Sequence, residues 1–381
     1  MTQKVLMNVD IYTGKGKVLN GYIRFSKHII DIGSMDELQL QANDEAIDGN
    51  GKKVIPGMID IHIHGGYDID TMDANADTLV ELSEKLLNEG VTSFFPTTMT
   101  QSYDAIERAL QAVKAAKETG KTIIEGIHLE GPFISKLRAG AQPLQYIQAP
   151  EIQQFMKWYE ASGELIKLVT YAPENEHARE FEELLINHGI VPSMGHSDAV
   201  RAELLHSKTT HATHMYNGMR GLHHREPGVA GHALLSPQIQ VEMIADGLHV
   251  HPDMVKLTYE MKGPEKLTVI TDAMRAKGLS DGESELGGQK VFVRNGEARL
   301  ENGALAGSIL TMDEAFRNII AFTGCSIEDA VQMTSVNQAR EFGLATKGEL
   351  TTGKDADFVI LDEALQVVDT YHLGKRHVRE E

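Results

Sequence analysis

Three observations predict an α/β chain: a (β/α)8 TIM-like barrel carrying a small β-sandwich domain built from both chain ends. First, between residues 56 and 345 eight short apolar segments alternate with segments of helical periodicity. Strands separated by helices form parallel sheets, and eight such units suggest a barrel. Second, residues 1–55 and 346–381 read as short strands broken at Gly, Asn and Asp, with little helical pattern. Third, histidines and carboxylates recur where the eight apolar segments end, which is where a parallel barrel carries its chemistry. A doubly wound open sheet is the competing architecture, but no glycine-rich dinucleotide fingerprint follows the first strand of the series.

The elements follow in order. KVLMNVDIYTG, GYIRFSKHIIDIG and EAIDGNGKKVIPG supply the N-terminal strands, and KGELTTGKDADFVILDEALQVVDTYHLGKRHV has the same character at the other end. The inserted unit opens with PGMIDIHIHGG, residues 56–66. Strand alternation puts Met58, Asp60, His62 and His64 on one face and Ile59, Ile61 and Ile63 on the other. TLVELSEKLLNEG then gathers Leu79, Leu82, Leu86 and Leu87 on one helical stripe, with Gly90 as its C-cap. VTSFFPTT, a helix over 102–118, TIIEGIHLEGP, a helix near 150–161, LIKLVTYAPE and a helix near 177–188 continue the series. GIVPSMGHS, a short helix near 199–207, THATHMYN, IQVEMIADGLHV, a helix from His251 to about Met261 and KLTVITDAM complete it. Residues 312–323 and 326–342 add two helices before the chain returns to the β domain.

Bulk properties narrow the function. A length of 381 residues exceeds the roughly 250–300 of one core, so a large domain over 56–345 and a small one over 1–55 plus 346–381 are expected. Hydrophobic content of 41% and charged content of 24% are those of an ordinary globular protein. The net charge of −19 argues against nucleic acid and anionic membrane as partners. A small anionic substrate is still compatible, because distant surface charge is screened over about 8 Å. One cysteine, Cys325, excludes an internal disulfide framework. No apolar signal core opens the chain and no run reaches the roughly 18 residues of a membrane helix, so a cytoplasmic location is expected.

Read in order, the strand ends offer His62 and His64, Glu130, His196, His214, Asp246 with His249, and Asp272. An H-x-H alone is more often a pair of satisfied core imidazoles, and several of 17 histidines must be surface groups. Four imidazoles and two carboxylates around one barrel mouth are a different matter. They are the ligand set of a hydrolytic divalent ion with a position left open for water. His128 reads as core or as support for the ligands; His211, His223, His224 and His232 read as local hydrogen bonders or surface groups. Cys325 has no paired base, and Trp158 and the methionines read as packing.

HLEGPF (128–133), MGHSDA (194–199), THMYNGMRGLHHREPG (213–228), IADGLHV (244–250), VITDAM (269–274) and LAGSILTM (305–312) together resemble the amidohydrolase superfamily, and within it the amino-sugar-phosphate deacetylases. The resemblance covers essentially the whole chain. It implies metal-dependent hydrolysis of the N-acetyl group of N-acetylglucosamine 6-phosphate, yielding glucosamine 6-phosphate and acetate. It further implies Glu130, His196 and His214 as main metal ligands and Asp272 as the catalytic aspartate. Ala141, Gln142, Asn217, Gly218, Arg225, His249, Leu305, Ala306 and Gly307 fall at its substrate contacts. Zn or Fe is the expected ion, with Mn, Co and Ni as other divalent candidates. Relatives that lack the H-x-H hold one ion; this chain keeps His62 and His64, so a second ion shared with Glu130 is expected. Many relatives carry histidine where Gln142 stands, and glutamine can donate to a carbonyl without carrying charge. Because some phosphate contacts in the family come from a partner subunit, a homodimer is implied. On residues alone Arg225 could equally pair with a local carboxylate. A cyclic-amide hydrolase or base deaminase is disfavoured by Glu130 at the position where a modified lysine would bridge two metals. An inactive scaffold is disfavoured by retention of Asp272 and every main ligand.

Overall fold

The computed structural model describes residues 3–378. Met58–Ile63 is buried at every position, as a strand covered on both faces must be. It pairs in parallel with Val91–Pro96. Ile127–Glu130, Ile166–Tyr171, Val191–Met194, His211–Ala212, Gln240–Ile244 and Leu267–Ile270 form one parallel sheet in chain order. Parallel bridges Phe94 to Ile124 and Thr97 to His128 run between the pair and the start of this sheet, and Ile63 to Ala273 runs to its end. All eight strands coincide with segments evident in the sequence.

The covering helices are amphipathic, and local chemistry sets their ends. In Ala76–Leu86 the Asn75 side chain accepts from the Asp77 amide, and Leu79, Leu82 and Leu86 are buried; the following turn closes on Gly90 at φ 80°, a conformation that glycine adopts without penalty. Tyr103–Glu118 is capped by Ser102. Ile152–Ala161 buries Phe155 and Trp158, and Trp158 lies 5.2 Å from Tyr103 and 5.9 Å from Phe133, ring centre to ring centre. The expected helix near 199–207 is only Arg201–Leu204. Ser207 and the Lys208 amide instead bond to the Glu182 carboxylate, which draws the chain out of the helical path. The expected helix over 326–342 is Ile327–Glu341 with a π-helical turn at Gln332–Val336. That wider turn lets Ser335 reach the Gly57 carbonyl and Asn337 reach those of Pro264 and Leu267.

Both chain ends meet in one eight-stranded sheet, where Phe358–Leu361 runs antiparallel to Lys53–Pro56. Its apolar cluster is separate from that of the parallel strands and centres on Phe25, Phe358 and Tyr371.

One element is absent from the sequence reading. Gly282–Leu286, Gln289–Arg294 and Glu297–Leu300 form a three-stranded antiparallel sheet with its own apolar cluster around Met99, Met274, Leu286, Val291 and Ala306. Its signal was the Asn295-Gly296 turn, with φ 52° and 83°, the positive pair that a two-residue hairpin requires. The sheet stands over the ends of the parallel strands and so bears on the site.

Candidate functional site

The C-terminal ends of the parallel strands surround a cavity of about 370 Å³, within the range of small-ligand sites. His64, Glu130, Ala141, Gln142, His196, His214, Asn217, Gly218, His249, Asp272, Leu305 and Gly307 line it. His62 lies fully buried beneath. Ala306 is buried behind the lining, its amide bonded to the Ala298 carbonyl. Arg225 is elsewhere: it is exposed on the 219–228 loop, against His224. Met99, Leu286 and Arg299 also line the cavity, and none of them was singled out in the sequence.

The site turns on strain at strand ends. His196, His214 and Asp272 have φ of 45°, 28° and 49°, a left-handed backbone costing a non-glycine residue about 1–3 kcal/mol. This conformation turns each side chain off the strand direction towards a common centre. Gly218 sits so close to the His196 ring that a Cβ would meet Nδ1 at 2.8 Å; a side chain there would push the imidazole aside.

At that centre Glu130 Oε1 lies 3.2 Å from His196 Nε2 and 3.1 Å from His214 Nε2, and the two nitrogens are 3.0 Å apart. On its other side, Glu130 Oε2 is 3.3 Å from His64 Nε2, and Asp272 Oδ1 is 3.3 Å from His64 Nε2 and 3.4 Å from His62 Nε2. The tautomers follow from the partners behind. His196 Nδ1 faces the Arg138 carbonyl at 2.8 Å, His64 Nδ1 the Thr97 carbonyl at 3.2 Å and His62 Nδ1 the Glu242 carboxylate at 2.9 Å. A carbonyl or carboxylate only accepts, so each Nδ1 donates and Nε2 is the nitrogen turned inward, a metal ligand once it gives up any proton it carries. His62 Nε2 is buried with no hydrogen-bond partner among the described residues.

Burial by itself would raise the Glu130 pKa, yet the surrounding imidazoles pull it well below the usual carboxylate range. Asp272 is likewise lowered against its burial, by His62 and His64. Inward imidazole nitrogens beside ionised, buried carboxylates are a donor set for a divalent cation, which takes the place of the protons between them. Among the described residues three groups of three could hold one: Glu130, His196 and His214, then His62, His64 and Asp272, both at the cavity, and His62, His128 and Glu242 beneath it. The residues fit a metal ion.

Several supports escaped the sequence reading. Glu242 is fully buried and links His62 Nδ1 and the His214 amide, each at 2.9 Å, to His211 Nε2 at 3.1 Å. His211 Nδ1 then meets Glu341 at 2.9 Å. His211 is thus a buried ionic link rather than a surface group; burial opposes its charge, but Glu341 and Glu242 bring its pKa up to about 10. His128 packs against the His62 ring at 4.4 Å. Gln142 donates to Glu130 Oε2 at 2.7 Å and accepts from the Thr100 amide at 2.8 Å. Asp246 holds His249 through Nδ1 at 2.6 Å.

The amidohydrolase family model matches residues 53–376. An N-acetylglucosamine-6-phosphate deacetylase of Bacillus subtilis (strain 168) is 44% identical over 379 residues, covering 97% of this chain and 96% of its own. One from Lysinibacillus sphaericus is 44% identical over 340 residues, 88% of each chain. Among solved structures, a mutant N-acetyl-D-glucosamine-6-phosphate deacetylase from Mycobacterium smegmatis, in complex with N-acetyl-D-glucosamine-6-phosphate, superposes with a TM-score of 0.93 at 30% identity, covering 100% of both chains. With a family match over most of its length and such relatives covering nearly all of it, the chain belongs to the amidohydrolase family.

Proposed function

We propose that the chain hydrolyses the N-acetyl group of N-acetylglucosamine 6-phosphate to glucosamine 6-phosphate and acetate, a divalent-metal-dependent step of amino-sugar catabolism and cell-wall sugar recycling. The observation that carries this reading is the convergence of Glu130, His196 and His214 beside Asp272 in one cavity; the relatives supply the substrate. Glu130, His196 and His214 hold the main ion, and His62 and His64 with Glu130 hold a second, Zn or Fe being the preferred metals. When bound, the ion supplies Lewis acidity at the acetamide carbonyl and lowers the pKa of water from about 15.7 towards 7.

Asp272 takes the proton of the attacking water as its oxygen adds to the acetamide carbon. The same carboxyl then gives that proton to the departing nitrogen as the C–N bond breaks, leaving acetate and the free amine. Its low pKa favours the accepting form at rest. Gln142 has a second N–H beyond the one given to Glu130, and this N–H is directed to the carbonyl oxygen. Asn217, Gly218 and His249 take the phosphate side, with Ala141 and Leu305 to Gly307 shaping the sugar pocket. Arg225, exposed and outside the cavity of its own chain, is available to the phosphate of a second copy, which is the role of the homodimer in this reading.

The same reading closes the eight parallel strands into a (β/α)8 barrel over 56–345 and folds the terminal sheet, 1–55 with 346–381, into a β-sandwich. The bridges from Ile63 to Ala273 and from Thr97 to His128 support the closure. Among the described residues no helix is long and apolar enough to cross a membrane, in keeping with a cytoplasmic enzyme. The test is acetate release from N-acetylglucosamine 6-phosphate and from N-acetylglucosamine, before and after chelation. Release from the phosphate ester, abolished by chelation and restored by metal, is expected. No acetate from either sugar with metal bound would overturn the reading.

A further inference from the structure

Arg299 is the sole lysine or arginine among the residues lining the cavity. In a chain of net charge −19, whose site is built around ionised carboxylates, a dianionic ester needs a cation to enter and stay. We infer that Arg299, carried by the three-stranded sheet, joins His249 in binding the substrate's phosphate and is the cation of the same chain that sets preference for the phosphorylated sugar. The inference rests on the deacetylase reading above and deepens it.

Geometry places Arg299 at the phosphate end. It pairs antiparallel with Leu305 across an isolated bridge. Two residues on, Gly307 touches the Asp272 carbonyl, 3.1 Å from where a Cβ would stand. Two residues of extended chain span about 7 Å and a paired strand adds about 5 Å. The Arg299 backbone therefore stands about 9–12 Å from that of Asp272, the span of a whole sugar phosphate, so the amide and the phosphate fall to opposite ends. His249 lines the same cavity.

The guanidinium is also held ready. Nε bonds Glu297 at 2.7 Å and Nη1 bonds the Gly303 carbonyl at 2.7 Å. Among the described residues Nη2 makes no hydrogen bond, so both of its protons are available to an acceptor in the cavity, and the other two positions of the fork are held before substrate arrives.

The test compares Arg299→Gln and Arg299→Lys with the unaltered metal-loaded enzyme. For R299Q, the ratio of kcat/KM for N-acetylglucosamine 6-phosphate to that for N-acetylglucosamine is expected to fall about 10- to 100-fold, mainly through KM. R299K recovers part of the loss, since it restores charge but not the fork. Calorimetry with glucosamine 6-phosphate gives a readout free of turnover, and its affinity is expected to weaken by a similar factor. An unchanged ratio, or equal losses on both sugars, would overturn the assignment and leave Arg299 a turn staple. If the unaltered enzyme released no acetate, the deacetylase reading would fall. Loss of glucosamine 6-phosphate binding in R299Q would even then support the phosphate role.

Discussion

Replacing Glu242 by glutamine tests the support beneath the site, because it removes a charge while keeping the shape. Glu242 has no exposed surface, and its carboxylate meets His62 Nδ1, the His214 amide and His211 Nε2 at 2.9, 2.9 and 3.1 Å. A glutamine offers one oxygen and one NH₂, so its NH₂ must face a donor at one of these positions. Relief on the His62 side moves the imidazole proton to Nε2, and the lone pair that pointed at the metal position is lost. An altered second-layer partner typically costs about 10- to 100-fold in metal affinity, and that loss is expected at the His62 and His64 position. The protonated His211 is also left with Glu341 alone. Breaking a buried ionic contact costs about 3–5 kcal/mol. Unfolding entropy of about 2.1 cal/mol/K per residue over 381 residues gives roughly 0.8 kcal/mol/K, so Tm should fall by about 4–6 °C. Metal titration with inductively coupled plasma analysis and calorimetric melting read the two effects separately. A variant with wild-type metal content and a wild-type Tm would refute the account of Glu242 as the link between His211 and His62.

Three further outcomes are expected. Asp272→Asn should keep the ion at Glu130, His196 and His214 while losing about 10²- to 10⁴-fold in kcat; activity within a few-fold of wild type would remove Asp272 from proton transfer. His211 has its pKa raised to about 10 from about 6.5 unfolded, so its stabilisation is full below pH 6.5 and is lost as pH rises through 10. Tm of the wild type should therefore fall across that window, and Glu341→Gln should flatten the fall; parallel curves would count against the link. Lys277 is fully buried, with Nζ 2.8 Å from Glu89, and Glu89 also receives the Tyr67 hydroxyl and the Met312 amide. Lys277→Met should destabilise by about 3–5 kcal/mol in denaturant unfolding, whereas Glu89→Gln/Lys277→Met together should recover part of it.

The sequence was legible where one physical rule acted alone. Buried parallel strands must be short and mostly apolar, so seven were visible as runs and His211–Ala212 only by its place in the series, and the helices between them showed as stripes of Leu, Ile and Phe. The histidines that gather at the cavity were legible because they sit where those runs end. What escaped depended on partners far away in the chain. Glu242 lies inside an apolar strand, and its charge has a reason only once the fold brings His211 and, 180 residues distant, His62 to it. Nothing in THATH separates His211, a buried ionic link, from a surface histidine until Glu341 arrives 130 residues later. The short helix at Arg201–Leu204 was overestimated for the same reason, since Glu182 ends it from another element.

Arg225 and Arg299 show most sharply how the two kinds of signal differ. Arg225 sits in a recognisable block, R-E-P-G, and so attracted the phosphate, yet it is exposed away from its own chain's cavity. Arg299 sits in no distinctive block and faces the cavity. Its place is fixed by a hairpin whose Asn295-Gly296 turn was readable and by a bridge to Leu305 that was not. The hairpin's pairing rules then carry the charge to the far end of the sugar from Asp272. That sheet packs on Met99, Met274 and Ala306, which adjoin the strand ends, so the segment that carries Arg299 is coupled to the frame that holds Asp272.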